Sequence, residues 1–168
     1  ATAEGTSPGR DKPLPDLNAL GVTAIESRPL ADFKGTRNWG HDGVLPYAPD
    51  GAYGRPDDLK RLIDTAHGLG LMVYLDAVYN HFGPAGNFLT EYADDYFTTR
   101  YDNEWGSALN YDGDNAHGLR DLVISNAAHW IGEYHFDGLR LDATQSIHDA
   151  SEDHVIAALT RAARAAAG

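Results

Sequence analysis

Two hydrophobic periods alternate along this 168-residue chain. Leu14, Leu17 and Leu20 recur at helical spacing ahead of Gly21, which predicts a helix closing at that glycine. Before them, Gly5, Pro8, Gly9, Pro13 and Pro15 interrupt any regular pattern. The β-branched run at 22–25 (VTAI) predicts a strand stopped by Pro29. Residues 31–55 are polar and Gly-rich and read as a loop. Pro56 suits a first helical position, and Asp57 and Asp58 suit the positive end of a helix dipole. Leu59, Leu62, Ile63, Ala66 and Leu69 then form one apolar stripe, ended by Gly68 and Gly70. Residues 71–78 (LMVYLDAV) are nearly all apolar, as expected of a strand covered on both faces.

Residues 83–118 read as one long loop after that strand. They hold Phe88, Tyr92, Tyr96, Phe97, Tyr101, Trp105 and Tyr111, and a loop of such length inside a domain points to function. Leu119, Leu122, Val123, Asn126, Ala127, Trp130, Ile131 and Tyr134 keep i, i+3, i+4 spacing and predict a helix. Residues 136–143 predict a strand, and 152–167 an Ala-rich helix opened by Glu152 and Asp153 at its positive end.

The predicted order is therefore α-β-α-β-α-β-α. Helices alternating with strands imply a parallel α/β sheet with right-handed crossovers. Ligands bind such sheets at the C-terminal strand ends. Here those ends lie at 26–29, 76–81 and 140–144.

Composition narrows the classes. Thirteen Lys and Arg against 25 Asp and Glu give a net charge of −12, which argues against a nucleic-acid partner. No apolar run approaches the roughly 18 residues of a membrane span, so no membrane partner is expected. The chain has no cysteine, which excludes a disulfide framework, zinc–thiolate site or thiol nucleophile. No basic start precedes an apolar core, and a cytoplasmic location is expected. The length suits one domain and falls short of the about 250 residues of a closed (β/α)8 barrel.

Candidate chemistry sits at the last two strand ends. Side chains alternate along a strand, so Gly138, Arg140 and Asp142 share one face and Leu139 and Leu141 the other. An Arg and an Asp on one buried face are costly unless paired. Such an Arg favours the ionised carboxylate, the form able to attack. A structural ion pair and a nucleophile with its partner stand as equal readings of that spacing alone. Asp76 lies inside an apolar strand and needs a partner, for which Arg140 is the obvious candidate. Asn80 and His81 follow at the strand exit, on the rim shared with Asp142. His129, His135, His148 and His154 lack the spacing of a zinc site, and neither metal nor cofactor is expected. Asp112 and Asp114 offer carboxylates of the kind that bind Ca²⁺, but are read as solvated charges.

DAVYNH (76–81) and GLRLDA (138–143) resemble, in order and in separation, two regions of the α-amylase family of glycoside hydrolases, family 13. GVTAIESRPL (21–30) resembles the region around that family's second barrel strand. The resemblance implies a partial (β/α)8 TIM barrel covering strands two to four. It also implies retaining cleavage of α-1,4-glucan bonds. RNWGHDGVLPYAPDGAYGRPDDLK (37–60), VYNHFGPAGNFL (78–89), the Trp105-Gly106 pair and LDATQSIHDASEDH (141–154) are similar to members that cut the α-1,4 bond next to the trehalose end of maltooligosyl-trehalose. A branching-enzyme-like segment, or a binding module for α-1,4-glucan oligosaccharides without catalysis, are the alternatives.

By the same resemblance Asp142 matches the nucleophile and Arg140 the guanidinium that holds it ionised. His81 matches the imidazole that hydrogen-bonds the sugar, while Asp76 and Asn80 match residues that orient this group. Thr144 and Gln145 are expected to contact substrate, Gln145 standing where relatives often carry His or Lys. His41 stands where the family usually has a sugar-stacking Tyr. The family's acid/base is a Glu ending a fifth strand, for which Asp149, Glu152 and Asp153 offer no counterpart. The chain is thus expected to be a barrel segment, inactive alone and prone to self-association through open sheet edges. Arg28 near the barrel wall requires a partner that the sequence does not name.

Overall fold

All three predicted strands join one parallel sheet in the computed structural model, which describes Gly9 and residues 11–168. The interruptions at Gly5 and Pro8 lie outside the described residues. Helix α1 (Leu14–Ala19) precedes β1 (Ala24–Ser27). The short strands β2 (Ala31–Asp32) and β3 (Leu45–Pro49) follow, then α2 (Pro56–Gly68) and β4 (Met72–Ala77). After them come α3 (Leu89–Tyr92), β5 (Phe97–Thr98), β6 (Ala108–Leu109), α4 (His117–Tyr134), β7 (Gly138–Leu141) and α5 (Val155–Ala167). The sheet runs β1-β4-β7, with Ile25 beside Val73 and Asp76 beside Arg140.

Helix α2 starts as its sequence dictates. Pro56 follows Arg55, whose backbone N–H donates to Asp58 Oδ2 at 3.0 Å. It closes through Gly70 at φ 76°, where Leu71 N–H reaches back to the Ala66 carbonyl at 2.9 Å. The turn delivers Leu71 directly into β4. Helix α4 ends instead on His135 in the left-handed region (φ 62°). Helix α5 begins at Val155 rather than 152, capped by His154 Nδ1, which accepts from Ile156 N–H at 3.2 Å. Glu152 and Asp153 therefore lie ahead of the helix and are not its dipole partners.

One face of the sheet makes the core. Val73 and Leu75 pack with Leu59, Leu62 and Ile63 of α2 and with Trp130 and Ile131 of α4. A second apolar cluster joins Ala77 and Tyr79 to Leu119, Val123 and Ala127 of α4 and to Val155 and Leu159 of α5. Each large buried side chain contributes roughly 1.5–3 kcal/mol. On the opposite face cover varies along the strand: Met72 is 42% exposed and Tyr74 half-buried, whereas Asp76 is buried, so among the described residues 71–78 is not covered on both sides at its start. Gly138 lies there because Tyr74 fills the space beside it, where a Cβ would stand 2.5 Å from the ring.

The two presumed loops contain structure. Within 31–55, β2 and β3 pair antiparallel, and within 83–118, β5 and β6 do the same. Of the aromatic residues in 83–118, Tyr111 is fully buried, Tyr96, Phe97 and Tyr101 are half-buried, and Phe88, Tyr92 and Trp105 are exposed.

Candidate active site

The ends of β4 and β7 place their polar residues by period and register. Asp76 and Arg140 are direct neighbours across the ladder, and Asp142 lies two residues beyond Arg140 on the same face. Arg140 Nη1 donates to Asp76 Oδ1 at 2.9 Å and to Asp142 Oδ1 at 2.6 Å. One guanidinium thus fixes two carboxylates from adjacent strands. Its bonds to Asp76 first, and to Asp142, raise its pKa further above the ordinary value, so it stays charged. Asp142 N–H still reaches the Ala77 carbonyl at 3.0 Å. The next residue, Ala143, turns into the left-handed region (φ 42°), a costly backbone state for a residue with a Cβ.

Asn80 and His81 are buried at the β4 exit. Asn80 Nδ2 donates to the Asp142 carbonyl at 3.0 Å, which leaves Asn80 Oδ1 to accept from His81 Nδ1. Burial pushes the His81 pKa below its ordinary value, against the opposing pull of Asp42 and Asp142. His41 Nε2 lies 3.7 Å from Asp76 Oδ2 on the other side. Its loop is held by close backbone approaches: a Cβ on Gly83 would meet the Asp42 carbonyl oxygen at 2.1 Å. Arg28 finds its partner in the same loop, its guanidinium lying 5.2 Å from the Trp39 ring centre.

An open cavity of about 660 Å³ lies beside this cluster, lined by Asp142, Arg140 and Gln145 on one side and by Asn103, Glu104 and Trp105 on the other. The structure therefore brings Asp142, Arg140, Asp76, Asn80, His81 and His41 together. Gln145 faces the cavity, while exposed Thr144 opens the turn beside it. Asn103 and Glu104 stand outside every motif that the sequence singles out, and only their place in the 83–118 segment, beside Trp105, gives a signal for them.

The remaining acids divide clearly. Asp149 accepts from Arg120 Nη1 and Val155 N–H, both at 2.6 Å, and from Ser151. Burial alone would raise its pKa, but these hydrogen bonds outweigh it and hold the carboxyl below the ordinary range. It is a structural carboxylate that anchors α5. Asp112 is likewise no solvated charge: its buried side chain accepts from Arg100 at 2.9 Å and Ala150 N–H at 2.9 Å. Asp114 is exposed.

A parallel β/α layer whose charged residues converge at the strand ends is the arrangement of an α/β enzyme site, and sequence comparison gives the family. The family described as alpha amylase, catalytic domain, matches residues 3–108, and the chain belongs to it. Within that class several of its relatives carry one name. The malto-oligosyltrehalose trehalohydrolase of Deinococcus radiodurans is 52% identical over 160 residues, which are 95% of this chain and 26% of that protein. The enzyme of the same name from Saccharolobus solfataricus is 44% identical over 155 residues, 92% of this chain and 28% of that protein. A crystal structure of a candidate alpha amylase from Salmonella typhimurium superposes with a TM-score of 0.92 at 46% identity, covering 98% of this chain and 28% of that one. The chain spans about a quarter of the length of the curated relatives that it matches.

Proposed function

We propose that this chain carries the nucleophile side of a retaining α-glucan hydrolase that cuts the α-1,4 bond next to the trehalose end of maltooligosyl-trehalose. The observation that carries the reading is the Arg140 bridge, which holds Asp142 at the mouth of an open cavity while Asp76 anchors the other end. In this reading an Asp142 oxygen attacks the anomeric carbon, the glycosidic C–O bond breaks, and the leaving oxygen takes a proton from an acid. Water then releases the sugar from Asp142 in a second displacement. His81 and His41 contact the ring at the cleavage point, and Asp76 and Asn80 orient Arg140 and His81. Thr144, Gln145 and Trp105 border the leaving-group side. The relatives' names supply the trehalose end of the proposal.

A retaining pair needs its two carboxyl groups about 5–5.5 Å apart. Asp76 is committed to Arg140 and Asp149 to Arg120, so neither is free to protonate a leaving group. General acid catalysis is worth about 10²- to 10⁴-fold, and the chain alone should release no appreciable trehalose. Incubation of the purified chain with maltooligosyl-trehalose, read by trehalose release, tests this. Robust release abolished by Glu104→Gln would instead place the acid on the cavity wall and overturn the inactive-segment reading.

A further inference from the structure

The carbonyls at the β4 exit pose a problem that the ladder does not solve. Pairing with β7 ends at Ala77 and Leu141, yet Tyr79 and Asn80 beyond it are buried, Asn80 at 1% exposure. A buried carbonyl without a partner costs about as much as a lost hydrogen bond. Two side chains from the 83–118 segment serve them. Tyr111 Oη donates to the Tyr79 carbonyl at 2.7 Å, and Asn103 Nδ2 donates to the Asn80 carbonyl at 2.7 Å. Tyr111 is itself core. Asn103 is half-buried at the cavity, and its other amide atom is also engaged: Oδ1 accepts from Trp105 N–H at 3.1 Å.

One continuous path results. It runs from the Trp105 backbone to Asn103, from Asn103 to the Asn80 backbone, and from the Asn80 side chain to both the Asp142 carbonyl and the His81 ring. We propose that Asn103 is a positioning residue, whose single amide sets the cavity wall carrying Trp105 against the strand rim carrying His81 and Asp142. The requirement is chemically narrow. The site needs a donor toward Asn80 and an acceptor toward Trp105 on one short side chain, and an amide supplies both. Aspartate keeps only the acceptor and sets a carboxylate oxygen against the Asn80 carbonyl; alanine keeps neither. The distance between the His81 and Trp105 rings, 6.4 Å between centroids, is the quantity that Asn103 fixes. The consequence for sugar binding rests on the glucan reading above, whereas the positioning does not.

Amide hydrogen exchange and side-chain NMR on the purified chain separate the two, with maltoheptaose as the probe and circular dichroism confirming the fold of each variant. Asn103→Ala should speed exchange at the Trp105 amide about tenfold, the worth of one hydrogen bond. It should also shift the His81 ring signals and weaken maltoheptaose binding several-fold. Asn103→Asp should leave the Trp105 amide protected, yet shift His81 and weaken the sugar equally. Unchanged Trp105 exchange and His81 signals in Asn103→Ala would overturn the proposal. If the signals respond while the unaltered chain binds no maltoheptaose, the positioning role stands and the glucan reading falls.

Discussion

The two faces of the β1-β4-β7 sheet are built from the same strands and do opposite work. Toward the helices, β4 sets Val73 and Leu75, each 2% exposed, into a dry core. On the other side, the residues between and beyond them are Met72, Tyr74 and Asp76, beside Gly138 and Arg140 on β7 and then Asp142 just past its end. Stability is invested on one face and charge on the other, and a period of two keeps them apart. A one-residue slip would bury the Arg140 and Asp142 charges against helices and turn Leu75 outward. The register that stabilises the fold is thus the same register that assembles the site.

This contrast breaks most visibly in the core. Leu75→Ala should cost about 2–5 kcal/mol through lost burial and the cavity it leaves, whereas Met72→Ala, three residues away on the open face, should cost about 0.5 kcal/mol. Urea denaturation of both variants reads the difference. Equal losses would mean that the open face is as tightly packed as the core. The next effect lies between strands on the open face. Gly138→Ala sets a Cβ against the Tyr74 ring and should cost about 1–3 kcal/mol by overpacking. Adding Tyr74→Ser should recover much of that loss in a double-mutant cycle.

The smallest effect is electrostatic. Burial holds the His81 pKa below its ordinary 6.5, so on acidification the unfolded chain takes up this proton first. The stability contributed by the neutral ring is complete above about pH 6.5 and declines as pH falls below it. His81→Gln should flatten that part of a stability-against-pH curve. Asp112 and Asp149, whose pKa values are lowered, lose their contributions only at more acid pH, in and below the carboxylate range.

Period and spacing carried the parallel sheet and the pairing of Asp76 with Arg140, because these arise from alternation within strands and from helical stripes, whereas the strand order came from the family resemblance. What stayed hidden depends on partners far along the chain. Two-residue strands such as β5 and β6 leave no periodic trace, and their pairing is set by the loop folding back on itself. Asp112 reads as a solvated acid until Arg100 and Ala150 close over it. Arg28 finds Trp39 only once the 37–42 segment lies across the end of β1. Asn103 belongs to the same class, since its two bonds join a strand exit to a turn that no local pattern announces.

The central claim is that Asp142 is the attacking carboxylate. An α-maltosyl fluoride needs no acid, because fluoride leaves unprotonated as the Asp142 oxygen bonds to the anomeric carbon. Mass spectrometry of the purified chain incubated with this reagent is therefore the most direct measurement. The expected result is slow growth of a single maltosyl adduct, mapped by peptide fragmentation to Asp142 and absent in Asp142→Asn. An adduct on another carboxylate, or one that persists unchanged in Asp142→Asn, would contradict the assignment.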